Sequence, residues 1–341
     1  MVSKYRYGFL QGTSYKDKTV SNLISGEFDY ALLSSSWDRR CLSLTNTTSL
    51  KSKNSFVILP LLRDEYGLRE KHDQIITKYA KDISEFCKIK DISSTGGIFE
   101  MWQILVEDIK RAFYNNKKPL KVLIDLTTCI RYFSLGFINQ GLQSGMVKEF
   151  TIFYSEGIYP EEKTEQDKHE LFTTGGWDVT PIPGLEGEWN PDKNRLYLVS
   201  VGFEGSKTLR LISRNEPDQV SLLFPEPGVK KEYVKRASEL NEPIIQRFQI
   251  PKSQIIRSTA GDAIEGWKSL TEASIEEPDK NNVYYACCGT KAHSLALTLR
   301  AMVLRYPALL YIIPGSHRPV DTDELGIFWR YDLKDMSSIG G

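Results

Sequence analysis

Acids, cations and small hydroxyl residues recur in this chain at the ends of apolar, strand-like runs, and those ends are where chemistry is expected. The run at 283–288 ends in Gly289-Thr290-Lys291, and apolar residues then return at helical spacing through Leu295, Leu299 and Met302. A glycine there lets the backbone turn closely. The first N–H groups of the following helix favour an anion, and Lys291 adds a full positive charge. Gly202, Glu204 and Lys207 follow the apolar run 196–201, and Ser36 and Asp38 follow 30–33. Thr127, Thr128 and Arg131 follow the run 122–126. An acid suits ribose hydroxyls, hydroxyl residues and turn amides suit phosphate or base edges, and a cation suits phosphate. The candidate ligand-binding residues are therefore Gly202, Glu204, Lys207, Gly289, Thr290, Lys291 and His317, with a second set at Ser36, Asp38, Thr128 and Arg131. A plainer alternative uses the same residues: Asp38 with Arg131, and Glu204 with Lys291, as internal salt bridges tying strand ends together.

Other constellations carry less. Cys287, Cys288 and His293 are metal-ligand types, but neighbours on a strand point to opposite faces, so one site could hardly use both thiols. No metal or cofactor is expected, and no catalytic residue is assigned. Cys288 with His293 or His317 has the residue types of a nucleophile and its base. Of the four histidines, His317 in the expected loop Pro314-Gly315-Ser316-His317 is the best candidate acid or base. Trp102 and Trp267 read as core residues, Glu100 and Glu265 as helix-face partners, and 161–170 as a solvated charged surface. There is no P-loop lysine motif, no G-x-G-x-x-G and no H-E-x-x-H.

The elements that must position these residues occur twice. Ser36-Trp37-Asp38 matches Gly202-Phe203-Glu204, and Leu59-Pro60 matches Phe224-Pro225. Ser94-Thr95 ahead of Trp102 matches Ser258-Thr259 ahead of Trp267, and Arg131 matches Lys291. From acid to proline the step is 22 residues in one copy and 21 in the other, from proline to tryptophan it is 42 in both, and from tryptophan to the basic residue it is 29 and 24. Four ordered anchors at such spacing indicate an internal duplication of about 120–130 residues. The first copy reads as strand 30–36, strand 55–61, helix 69–87, a short strand near 89–92, helix 98–114, strand 120–126, helix 131–142 and strand 149–154. The second reads as strand 196–202, helix 206–213, strand 219–224, helix 230–248, strand 254–258, helix 262–273, strand 283–288, helix 291–304 and strand 308–313, with 326–333 as an added edge strand. Alternating strands and helices imply parallel pairing through right-handed crossovers. The expected fold is α/β, two tandem duplicated Rossmann-like three-layer units with mostly parallel sheets, forming a pseudo-dimer. Their bounds are 1–154 and 195–341, joined by an ordered arm at 155–194 rich in proline, glycine and tryptophan. Residues 1–28 suggest no role.

At 341 residues the chain can bury two cores. Its 44 basic and 44 acidic side chains cancel, so no global charge advertises nucleic acid or an anionic membrane. No apolar run approaches the roughly 20 residues of a membrane span, and no signal-peptide region opens the sequence. Five cysteines, an odd number mostly inside apolar runs, suit a reducing compartment, and a cytoplasmic location is expected.

The strand–G-T-K–helix at 286–291 resembles the signature of CRISPR-associated Rossmann-fold sensor domains, over residues 196–315. That resemblance implies binding of a cyclic oligoadenylate-type signal in prokaryotic antiviral defence, with ligand across a two-fold axis. Cys288 stands where the family has the first glycine of G-G-T-K, and the first copy departs further with Thr128-Cys129-Ile130-Arg131. The expected function is a nucleotide-signal binding protein whose output comes from a partner protein. The alternatives are an enzyme cleaving a phosphodiester or glycosidic bond of a nucleotide, with Asp38 or Glu204 as acid or base, and a structural subunit of a defence complex.

Overall fold

The computed structural model describes residues 2–47, 49–59, 68–95, 97–159, 173–317, 320–322 and 324–336. They fall into two compact units, Met1–Tyr159 with Pro319–Gly341 and Pro160–Arg318.

In the first unit, β1 (Val2–Tyr7) and β2 (Leu10–Asp17) form a hairpin. Then come β3 (Gly26–Ser34), β4 (Leu50–Leu59), α1 (Leu68–Ile83), β5 (Ser84–Asp91), α2 (Ile98–Asn116), β6 (Leu120–Asp125), α3 (Arg131–Gln143) and β7 (Val147–Ile158). A last strand, β14 (Glu324–Asp335), also joins this sheet. The order is β1-β2-β14-β7-β6-β3-β4-β5, and β3 to β7 are mutually parallel. The strand period of two sorts side chains onto two faces. Ala31, Leu33, Val57, Leu123 and Phe153 meet Ile76, Tyr79, Ala80 and Ile83 of α1. On the opposite face the Tyr30 ring stacks on Phe137 of α3 at 5.8 Å, and its hydroxyl donates to Asp108 of α2 at 2.9 Å. The result is three layers.

The second unit contains β8 (Thr173–Pro181), β9 (Asn194–Ser200), α4 (Gly205–Asn215), β10 (Gln219–Pro225), α5 (Lys231–Arg247), β11 (Ile255–Ser258), α6 (Ala263–Ala273), β12 (Asn281–Cys287), α7 (Lys291–Leu304) and β13 (Ala308–His317). Its order is β11-β10-β9-β12-β13-β8, parallel except for β8. Val199, Val201, Leu222, Phe224, Ala286 and Ile312 pack under Leu211, Ile212 and Ile244 of α4 and α5. On the other face Tyr285 donates to Glu276 at 2.7 Å, and Glu276 is held by Arg300 of α7 at 2.8 Å, all three nearly inaccessible. Within each unit the five parallel strands, numbered along the chain, lie in the order 3-2-1-4-5. The strand order thus repeats along with the sequence anchors, and the expected Rossmann-like α/β fold is observed.

Several expectations change in detail. The closing strand belongs to the first unit rather than to 195–341, and it is no edge: β14 lies antiparallel between β2 and β7. The arm 155–194 supplies the end of β7 and the whole of β8, with Ile182 and Leu185 buried. Residues 1–28 form the hairpin and begin β3. The helix expected to 87 stops at Ile83, because Ser84 to Asp91 pair with β4. The expected loop 314–317 is strand, continuing β13 against β8 with a bulge between Pro314 and Ser316. The charged run 161–170 and Pro60 lie outside the described residues, as do the side chains of Ser94 and Thr95. Trp102 and Trp267 are core, 6% and 0% exposed. No described helix is long and apolar enough to cross a membrane.

Glu156 on β7, 5% exposed, sits opposite a bulge of β14 between Leu325 and Phe328. Burial pushes its carboxyl up to about 7, against the weaker pull of the Trp329 indole, the Ile327 amide, Lys16 and Arg40. The folded state therefore holds this proton more tightly than the unfolded chain. Its contribution is complete below the ordinary value of 4.5 and is lost as the pH rises through about 7. Chemical denaturation of Glu156→Gln at pH 5 and pH 8 should show a flatter pH dependence than wild type, by on the order of 3 kcal/mol.

Candidate functional site

In an open parallel sheet the crevice for a ligand opens where strand order reverses, outside the carboxyl ends of the two innermost strands. Here those pairs are β3 with β6 and β9 with β12. The expected site residues follow these strand ends in both units, with His317 set apart on β13.

In the second unit the two ends meet backbone to backbone. A Cβ on Gly289 would lie 2.5 Å from the Val201 carbonyl oxygen, and one on Gly202 would lie 3.3 Å from the Gly289 Cα. Only glycine allows this approach at 289. Ser200 accepts the Gly289 N–H at 3.1 Å, so that amide serves the strand junction rather than a ligand. Thr290 caps α7, accepting from the His293 N–H at 3.1 Å while its own hydroxyl donates to the Ala260 carbonyl at 2.8 Å. Lys291, half-buried, opens the helix. Across the crevice Glu204 and Lys207, 8% and 6% exposed, form an ion pair at 3.6 Å. A cation for the acid thus comes from its own helix turn, a pairing that the sequence alternative, which named Lys291, did not foresee. His293 is a core histidine: fully buried, its Nε2 lies 3.2 Å from the Thr259 carbonyl oxygen, and burial drives its pKa down to about 4. His317 pairs with Thr173 at the end of β13, and its side chain lies outside the described residues. Among the described residues no group of three or more His, Cys, Asp or Glu could hold a metal ion.

Helix α5 forms a wall that the sequence reading missed. Asn241, fully buried, donates to the Gly202 carbonyl at 2.9 Å and to its own helix at Ala237 at 2.7 Å. Gly205 packs on the Leu240 carbonyl, where a Cβ would overlap it. Phe203 meets Tyr233 edge-on at 5.1 Å, and the Arg236 guanidinium lies 4.6 Å from its ring centre. The signal available in advance was an asparagine and a proline, Asn241 and Pro243, inside a helical pattern.

No family model and no curated protein matches the chain. Among solved structures it is similar to the cytoplasmic domain of a prokaryotic cation chloride cotransporter, at 10% identity and a TM-score of 0.24, over 84% of this chain and 95% of that one. A TM-score that low carries no argument. The fold rests on the sheet order itself.

The first unit fills its own crevice. Asp38, 5% exposed, binds Arg40 at 2.6 and 2.8 Å, accepts the Arg40 N–H at 2.9 Å, and accepts from Thr322 at 3.3 Å. The plainer alternative had offered Arg131 for this acid; Arg40, two residues on along the turn that Asp38 caps, holds it at these distances. Burial alone would lower the Arg40 pKa, but the Asp38 carboxylate overrides it and holds the guanidinium above its ordinary value. Ser36 accepts the Asp38 N–H at 3.2 Å, and Thr128 donates to the Ser34 carbonyl at 3.2 Å. Trp37 donates to the Val320 carbonyl at 3.3 Å, and Asp321 holds Arg39 at 2.9 Å. Segment 320–322 therefore lies over the end of β3. Removing Asp38 alone strands a buried guanidinium, so Asp38→Ala should cost about 3–5 kcal/mol in urea denaturation. Asp38→Ala with Arg40→Met should recover most of that loss.

Proposed function

We propose that the second unit binds a nucleotide or nucleotide-derived signal at the carboxyl ends of β9 and β12, and that the first unit is its structural copy. The observation that supports the reading is the Gly202–Gly289 backbone contact, which joins the two strand ends at the reversal of strand order, where open parallel sheets take their ligands. On one side stand Glu204 and Lys207, and on the other Thr290 and Lys291. Two cations and a helix N-terminus suit phosphate, and the single acid suits a ribose hydroxyl. The resemblance of 286–291 to the sensor-domain signature extends the reading to a signalling nucleotide of prokaryotic antiviral defence, with the effector activity on a partner protein. Five free thiols support a cytoplasmic setting. The structural reading fits the first unit, where the Asp38–Arg40 pair and segment 320–322 take up the groups a ligand would use.

Calorimetry and thermal shift with AMP, ADP, ATP and short oligoadenylates test this proposal. At least one of them should bind and raise the melting temperature. Lys291→Ala should then lose roughly tenfold or more in affinity, while Asp38→Asn should leave binding unchanged. Failure of the whole panel to bind, or an unaltered Lys291→Ala, would overturn it.

A further inference from the structure

Phe203 is an aromatic residue at an unusual place. It follows the crevice glycine, precedes Glu204, stays half-exposed, and takes no place among the apolar residues described under α4 and α5. Two residues of α5, one turn apart, attend it: Tyr233 meets the Phe203 ring edge-on and Arg236 lies over it, while Lys230 at the N-cap sits 6.0 Å from the Tyr233 ring. The other side of α5, at Ala237, Asn241 and Ile244, is buried. The helix thus spends one face on the core and another on holding a single phenyl ring beside the crevice. The duplicate supports a docking role for this position. Trp37 occupies it in the first unit, and there the chain's own segment 320–322 comes down beside the indole.

We infer that Phe203, braced by Tyr233 and Arg236, is the surface on which the aromatic base of the ligand stacks, so that the second unit takes a nucleotide rather than a bare phosphate or sugar phosphate. This rests on the nucleotide reading above and adds its selectivity element. A base has a π-face whatever its sequence identity, so an aromatic platform rewards the ring itself. The cations at Lys291 and Lys207 act on the phosphate end. Arg236 keeps its charge at neutral pH although burial lowers it to about 10, and it can serve both ends.

The experiment compares ADP with inorganic pyrophosphate on the full chain by calorimetry. Wild type should prefer ADP by about tenfold, which is the worth of one stacked base. Phe203→Leu, which keeps an apolar group against α5, should lose about that factor for ADP and nothing for pyrophosphate. Phe203→Trp should keep ADP affinity, with its indole fluorescence changing on binding. Equal binding of ADP and pyrophosphate by wild type would sink the stacking surface but leave the anion site standing. An unchanged ADP preference in Phe203→Leu would do the same. If wild type bound neither, this inference would fail, whereas the nucleotide reading falls only with the whole panel of nucleotides.

Discussion

The contact on which the second unit depends is a backbone one, between Gly289 and the Val201 carbonyl. Two innermost parallel strands, β9 and β12, run in register from Asn194 with Asn281 to Ser200 with Cys287. Their chains must then part, because the helices that follow them cover opposite faces of the sheet. With any side chain at 289 the strand ends would be pushed apart before they could diverge in this way. The strand ends therefore approach as closely as a backbone permits, and the junction is flanked by the first residues of α4 and α7. Ser200 secures the junction by accepting the Gly289 amide, and Asn241 secures it from behind by holding the Gly202 carbonyl. Glu204 and Lys291 each stand two residues on from one of these glycines, and Lys207 follows one helical turn after Glu204.

The two units make opposite use of the same acid position. Around Asp38 the partners are short and numerous, and they include a guanidinium whose planar fork fits a carboxylate. Such an arrangement is costly to open, since it would leave a desolvated charge with nothing to offset it. Glu204 faces a lysine at 3.6 Å, longer than a hydrogen bond. An ammonium on a flexible stem can turn toward an incoming phosphate without losing a fixed geometry. Both pairs are nearly buried, so what separates them is geometry, a short guanidinium–carboxylate fork in the first and a longer ammonium contact in the second.

The parallel cores of both units were legible in the sequence because β-branched and aromatic runs alternate there with helices of clear apolar period. The strand order was not written in any local pattern, yet the matched anchors pointed to the two strand ends where that order reverses. What escaped notice had physical reasons. The hairpin opens V-S-K-Y-R-Y with every side chain of β1 exposed or half-exposed, and the buried face of β2 is Leu10, Gly12 and Ser14, too small and polar to show as an apolar period. β8 begins Thr173-Thr174-Gly175-Gly176, which reads as loop. The place of β14 depends on partners some 170 to 320 residues away along the chain, and no window of sequence carries that. At the site, strand-end residues were found because they end a pattern. The α5 wall was missed because Tyr233, Arg236 and Asn241 lie inside one.

The difference between the units follows from where the added strands attach. In the first, β14 inserts beside β7, and the chain leading into it passes over the end of β3, where Val320, Asp321 and Thr322 engage Trp37, Arg39 and Asp38. Gly157 permits this, because a Cβ there would overlap the Thr322 methyl and press on Arg40. In the second unit the added strand is β8, which joins at the outer edge of β13, with β13 between it and β12. Its connection to β9 passes through Ile182, Leu185 and Asn190, beside Leu309, Tyr306 and Asn282 toward the amino ends of β12 and β13. One extra strand brings its leading segment to the carboxyl ends of its sheet, and the other brings its connection to the amino ends. The first addition thus covers the end of β3 with its leading segment, while the connection that follows the second runs at the opposite end of its sheet, so the two copies differ in topology as well as in site residues.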